Sequence, residues 1–214
     1  MSYTKLQLYN DALLYCGETA LASLSEDREA RYLLDQVYDT GGIEDCLEEA
    51  PWIFALRTVK GDYDPTITPS FGYRRVFAKP TDWVATAELC EDEYFNSPLL
   101  RYSDEGGYFH SDLDIIYIRY VSNDTSYGLD LDAWPPSFNC FVAAHFASKI
   151  ILKTTSDEKK QKTIYAIREN ELKGAKNKNA MASPTKFSPP GKWQMSRNGT
   201  RRRRDRGNRN SFYG

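Results

Sequence analysis

The stretch WPPSFNCFVAAHFASKIILK, residues 134–153, limits what this chain can fold into more than any other. Its two prolines are tolerated in the first turn of a helix, and the apolar residues that follow would surround nearly the whole helix. A helix that is apolar on every side has to be covered by other elements. Because 41% of the 214 residues are hydrophobic, the chain has enough apolar side chains for that core. We expect the core anchors to be Trp52, Phe54, Phe138, Phe141 and Phe146.

Two helical segments precede this helix. The first runs from Thr4, which suits an N-cap, to Gly17, which suits a C-terminal stop. The second begins after Ser25, is broken at the glycine pair 41–42, and ends before Pro51. Apolar residues recur at helical spacing in both segments, so both are predicted to pack on the central helix.

The pattern changes between residues 52 and 132, where glycine and proline are frequent and short β-branched and aromatic runs replace the helical period. A strand-rich insertion is therefore predicted. Its clearest strand is IIYIRYV, residues 115–121. Alternation along a strand puts Ile116, Ile118 and Tyr120 on one face of it.

A tight hairpin is predicted within the same insertion. Gly106 and Gly107 can both take positive φ, which a two-residue hairpin turn requires. We expect this turn to join strands at 99–102 and 108–110. His110 would then lie in the hairpin, exposed to solvent.

The helical period returns at Pro135, and a last helix is expected to end near Lys178. The predicted fold class is α+β: a discontinuous helical bundle with an inserted antiparallel β domain and an extended C-terminal arm. Residues 1–56 and 133–178 would form the two parts of the helical body. Residues 57–132 would form the β insertion, and residues 179–214 the basic arm.

Side chains suited to catalysis or metal binding are few and scattered. His145 falls in the apolar helix, where a hydrogen-bonded core histidine is the favoured interpretation. The pairs Asp112/Asp114 and Asp130/Asp132 lack the rest of a calcium loop and are better explained by turns. The sequence contains no phosphate-binding glycine loop and no hydrolase or metalloprotease motif. We therefore expect no enzymatic activity, no catalytic residue, no metal and no cofactor.

The four cysteines, Cys16, Cys46, Cys90 and Cys140, lie far apart and form no CxxC pair with zinc-ligand spacing. Reduced cysteines in the core are the favoured interpretation. No stretch has the composition of a signal peptide or of a membrane-spanning helix, so a soluble chain is expected.

The formal net charge of −2 conceals a strong division along the chain. Residues 1–148 carry 10 Lys and Arg against 25 Asp and Glu, for a net charge of −15. Residues 149–214 carry 18 against 5, for a net charge of +13. Such asymmetry indicates charged partners or like subunits that pack head to tail.

The last 18 residues, RNGTRRRRDRGNRNSFYG, form the most basic part of the chain, with seven arginines against one acid. Nucleic acid and an acidic protein groove would both attract such a segment, and composition does not choose between them. Aromatic residues in and before this segment suit docking anchors. The residues of the predicted docking arm are Trp193, Arg197, Arg201, Arg202, Arg203, Arg204, Arg206, Arg209, Phe212 and Tyr213.

Several stretches along residues 4–175 carry a family resemblance. In the first of them the positions concerned are Asn10, Ala12, Leu13, Gly17, Glu18, Ser23, Leu24, Ala30, Tyr38, Leu47 and the cluster APWIFA at 50–55. FAKPTDWV at 77–84 gives an aromatic-x-x-Pro-x-Asp segment, and residues 120–150 give a strand, an acidic turn and an alanine-rich helix. Together these stretches resemble the tail tubular protein A family, the head-to-tail adaptors of short-tailed bacteriophages. The arginine cluster matches no motif of that family.

The resemblance implies a structural protein of the virion that performs no covalent chemistry. It implies a ring, commonly a dodecamer, at the portal vertex between the portal protein and the tail nozzle protein. The helical part would form the ring body, and the strand-rich insertion would face the next tail component. Double-stranded DNA would pass through the channel during ejection without sequence-specific binding. The chain would be made in the host cytoplasm.

Two functional hypotheses follow, and an enzyme of unknown type is a distant third. The first is the adaptor, with the arm docked on an acidic groove of the portal. The alternative is a nucleic-acid-binding protein that grips its ligand with an arginine-rich disordered tail, since arginine mixed with glycine, asparagine and aromatic residues is typical of such tails.

Overall fold

Five α-helices and two antiparallel sheets make up the part of the chain that the computed structural model describes, residues 3–69, 72–155 and 157–183. The predicted α+β class is confirmed. The described residues up to Ala182 belong to one compact unit. The helices are α1 (Lys5–Cys16), α2 (Glu29–Asp39), α3 (Gly42–Glu48), α4 (Pro136–Thr154) and α5 (Glu158–Ala182). The strands are β1 (Leu56–Asp62), β2 (Arg75–Ala78), β3 (Trp83–Cys90), β4 (Ser103–Glu105), β5 (Tyr108–Ser111) and β6 (Ile115–Ser122).

Helix α4 is the predicted central helix, and the other four helices pack against it. Its residues Phe138, Phe141 and Phe146 are completely buried. The Trp52 ring meets Phe138 edge to face, with 4.8 Å between ring centroids, and its Nε1 donates to the Cys46 carbonyl oxygen at 2.9 Å. Among the expected core anchors, only Phe54 keeps part of its surface exposed.

The N-terminal helices follow their predicted signals, with one difference. Helix α1 begins at a capping box formed by Thr4 and Gln7, and the left-handed Gly17 ends it. Helix α2 begins at Glu29, later than the expected start after Ser25. The reason is that the preceding loop uses the Glu26 side chain as a hydrogen-bond acceptor for the Ala22 N–H, at 2.8 Å.

The two sheets have strand orders β1–β6–β3 and β2–β5–β4, and all pairs are antiparallel. Strand β6 lies in the middle of the first sheet, and Ile116, Ile118 and Tyr120 are buried on one face, as the alternation predicted. They share a second hydrophobic cluster with Phe77 and Phe109 of the other sheet.

The predicted hairpin forms, but with a different first strand. Gly106 and Gly107 both have positive φ, 55° and 88°, and join β4 to β5. The expected first strand, residues 99–102, was wrong because the Leu99 N–H donates instead to Leu89 at the end of β3. His110 is half-buried rather than exposed, because β5 is the central strand of its sheet.

Helix α5 continues to Ala182, so the boundary expected after Lys178 lies too early. Asn179 explains the extension, because its side chain bonds the segment that leads into β1. Its Oδ1 accepts from the Ile53 N–H and its Nδ2 donates to the Pro51 carbonyl oxygen, each at 3.0 Å. These two bonds fix the last turns of the helix on the body.

Phe138→Ala should cost about 3 to 5 kcal/mol of unfolding free energy, because it leaves a cavity among packed aromatic rings. Leu14→Ala on α1 is the matched control, since Leu14 is 77% exposed and its removal should change stability by no more than about 0.5 kcal/mol. Urea unfolding measures both. Equal losses in the two variants would contradict a core centred on α4.

Candidate interaction surfaces

The predicted docking arm, with Trp193 and residues 197–214, lies outside the described residues. The described residues themselves offer buried polar networks, an apolar groove, an exposed loop on the β domain and charged helix faces.

A polar network joins α3, α4 and α5 around His145, which is 4% exposed. The His145 Nδ1 accepts from Arg168 Nε at 3.0 Å, which confirms the expected hydrogen-bonded core histidine. Arg168 also contacts Glu49 at 2.9 Å, and Lys176 contacts the same carboxylate at 3.2 Å. The network holds α5 against the end of α3, so its role is to position helices.

The charge state of His145 follows from its surroundings. Burial first, and then the cations Arg168 and Lys149, lower the pKa of His145 to about 4. Asp45 opposes this shift only in part, since its Oδ2 lies 3.6 Å from Nε2. The imidazole is therefore neutral near pH 7, and its Nδ1 lone pair accepts the hydrogen bond from Arg168.

A second network surrounds Asp82 at the start of β3. Its carboxylate accepts hydrogen bonds from Arg57, Tyr120 and Ser122, which belong to β1 and β6. Burial alone would raise the pKa of Asp82, but these donors outweigh it and lower that pKa. Burial and the Asp82 carboxylate raise the pKa of Tyr120 to about 12. These hydrogen bonds connect strands β1 and β6 to the start of β3 within one sheet.

Of the other acidic pairs, Asp130/Asp132 serves a turn, as expected, whereas Asp112 and Asp114 bind residues at the start of β2. The Asp112 carboxylate accepts the Arg74 N–H, Asp114 pairs with Arg75, and Asp130 accepts the N–H of Asp132. Across the described ranges, no group of three or more His, Cys, Asp or Glu side chains is arranged to hold a metal ion.

The cysteines form no disulfide among the described residues. Cys16, Cys46 and Cys90 are buried, as predicted, but Cys140 is exposed. The prediction failed at Cys140 because α4 is open to solvent at its first turns, where Pro136 is also exposed. Pro136 and Cys140 are four residues apart, so they lie on the same side of α4.

An apolar groove of about 250 Å³ lies between the first turns of α4 and the last turns of α5. Its floor includes the segment Trp52–Phe54 that leads into β1, and Ile53 there is 40% exposed. Ala133, Pro135, Ala175 and Ala182 complete the apolar lining. Sequence periodicity did not indicate this groove, because it forms where residues far apart in the chain meet.

The loop between β3 and β4 presents apolar side chains to solvent. Tyr94 is 74% exposed and Leu100 is 88% exposed. The loop is nevertheless held firmly: the Asp92 carboxylate accepts two backbone N–H groups, and Phe95 has a left-handed φ of 57° with the Arg119 guanidinium 4.1 Å above its ring. A non-glycine residue at positive φ is strained, and such strain is found at binding sites.

Charge is divided between helix faces. Helix α5 buries only three of its 25 residues, and it exposes five lysines against two acids, Glu158 and Glu169. The lysines are Lys159, Lys160, Lys162, Lys173 and Lys178. The segments from α1 to α3 expose acids instead: Glu18, Asp27, Glu29, Asp39, Asp45 and Glu48. The chain therefore carries faces of both signs on its helical body.

Within the described part of the chain, no helix is both long and apolar enough to cross a lipid bilayer. Compared with protein-family models and with curated proteins, the chain matches none.

Lowering the pH should destabilise the protein through His145. Its folded pKa of about 4 is below the ordinary value of 6.5, so the unfolded chain binds the proton more readily between those values. The contribution of neutral His145 to the unfolding free energy is fully present above pH 6.5. It is lost as the pH falls towards 4, by up to about 3 kcal/mol.

His145→Gln keeps an acceptor for Arg168 but does not titrate, so its stability should depend less on pH in this window. Urea unfolding at a series of pH values compares the two proteins. Asp45 and Glu49, whose pKa values are lowered, are present in both proteins and cancel in the comparison to first order. Parallel pH profiles would contradict a neutral, buried His145.

Proposed function

We propose that this protein is a structural head-to-tail adaptor of a short-tailed phage. Copies of the chain would form a ring between the portal and the tail nozzle, with the helical part as the ring body and the β domain towards the next tail component. The genome would pass through the channel. The proposal rests on the resemblance of residues 4–175 to tail tubular protein A, and on the properties of the surface.

The observation that carries most weight is the division of charge on the helical body. The exposed charges of α5 are mostly lysines, five against Glu158 and Glu169, whereas α1 to α3 expose acids. In a ring, identical copies related by rotation bury two different patches against each other, so opposite charges on two faces favour closure. Surface charge that is not used at such contacts would be acidic on balance, which lets DNA slide because phosphate is repelled.

The C-terminal arm is proposed to dock on an acidic groove of the portal. Residues 184–214 would span roughly 100 to 110 Å if fully extended, which is enough to cross a neighbouring subunit. Arginine suits this task because its planar guanidinium holds a carboxylate through two hydrogen bonds. Phe212 and Tyr213 would add apolar contacts beyond the charges.

Deleting residues 197–214 should abolish attachment to purified portal rings while leaving the melting temperature of the body nearly unchanged. Attachment is measured by co-sedimentation, and melting by circular dichroism. A truncated protein that joins portals normally but loses tight binding to duplex DNA would overturn the docking arm and favour the nucleic-acid-binding alternative.

A matched variant distinguishes docking of the arm on the portal from binding of the arm to DNA. Replacing Arg201, Arg202, Arg203 and Arg204 with lysine keeps the charge but removes the planar fork. Docking on carboxylates should weaken in this variant, whereas retention of DNA, which depends on charge and salt, should be nearly unchanged. Equal loss of portal attachment and DNA retention would contradict carboxylate recognition.

A further inference from the structure

The apolar groove beside the end of α5 is too small for most cofactors and metabolites. Its volume of about 250 Å³ is below the roughly 300 to 1,000 Å³ of common small-molecule sites. Only three of its ten lining residues are polar, Ser137, Lys178 and Asn179, and the Asn179 side chain already bonds Ile53 and Pro51. A single large apolar side chain fits these properties better than a polar ligand.

The chain itself supplies such a side chain. The groove is lined at its rim by Ala182, the last residue of α5, and the chain continues from there into residues 184–214. The largest aromatic residue in that segment is Trp193. An aromatic side chain of this kind buries about 150 to 250 Å² and anchors many interfaces.

We propose that Trp193 of one copy binds in the apolar groove of the next copy, which links the subunits head to tail. The inference rests on the proposed ring, and it names the contact that joins neighbouring subunits. Residues 197–214, which follow Trp193, would remain available for the portal.

The composition between Ala182 and Trp193 favours a neighbouring copy over the same chain. Pro184, Pro189 and Pro190 fall in this interval, and proline favours extended backbone. Ten residues separate Ala182 from Trp193, and at about 3.1 Å each they can span at most about 30 Å. This reach exceeds the radius of gyration of about 16 Å that is expected for a domain of this size, so it is long enough to meet a subunit packed beside it.

Disulfide cross-linking tests the contact directly. The protein would carry Ala182→Cys on the groove rim and Gln194→Cys beside Trp193, in a Cys140→Ser background that removes the exposed native thiol. Oxidation of the full-length protein should give a ladder of linked chains on a non-reducing gel. Each single-cysteine variant should give dimers at most, because one thiol per chain cannot extend a ladder.

Matched variants locate the contact. Trp193→Ala should reduce the ladder about tenfold or more. Ala133→Trp, which fills the groove from an exposed position on its rim, should do the same. Phe187→Ala removes another aromatic residue of the same segment and should leave the ladder unchanged. Melting temperatures equal to that of the parent would show that each variant folds.

Three results would overturn the inference: a cross-link within single chains, no cross-link at all, or a ladder that Trp193→Ala does not affect. The first would show that the groove binds its own chain. The inference and the proposed function fail separately. A Trp193-dependent ladder with normal portal attachment after deletion of 197–214 would support this contact and refute the docking arm. Loss of portal attachment after deletion of 197–214, without any ladder in the cross-linking experiment, would support the docking arm and refute this contact.

Discussion

Helix α4 is apolar on nearly every side, and elements from both halves of the chain are needed to keep it from water. Helices α1, α2 and α3 precede the strands, whereas α5 follows α4, and all four pack on α4. The first residues of α4 also pack against Trp52 and Trp134, which flank the β domain. Burial of this helix therefore brings the helices before and after the strands together, and the chain segments that border the strands must meet.

Apolar burial does not fix the angles at which helices and strands meet, because it has no direction. Polar groups add that direction here. The His145 network connects three helices through Arg168 and Glu49, and the Asp82 network connects three parts of one sheet. In both, partly buried carboxylates accept hydrogen bonds from arginine side chains, whereas the buried His145 Nε2 has no hydrogen-bond partner and only approaches Asp45 at 3.6 Å. We regard them as positioning devices rather than reaction centres.

The solvent-exposed faces of the helices differ in charge and in apolar character, and this difference connects the fold to the proposed assembly. Helix α5 covers α4 with one side only, so its lysines stay in solvent while its last turns border the apolar groove. The acidic helices offer a face of opposite sign. Charge sets which faces approach each other, whereas a buried aromatic side chain would supply most of the affinity once they meet.

By itself, the sequence determined the elements whose signals are local. The apolar period of α4, the Thr4 cap and Gly17 stop of α1, and the alternation of β6 each act over a few residues, and each element formed as predicted. Only the tertiary structure decided the late start of α2, the partner of Leu99, the exposure of Cys140, the reach of α5 and the groove. These features depend on contacts between residues far apart in the chain, such as Asn179 with Pro51, which no local period can encode.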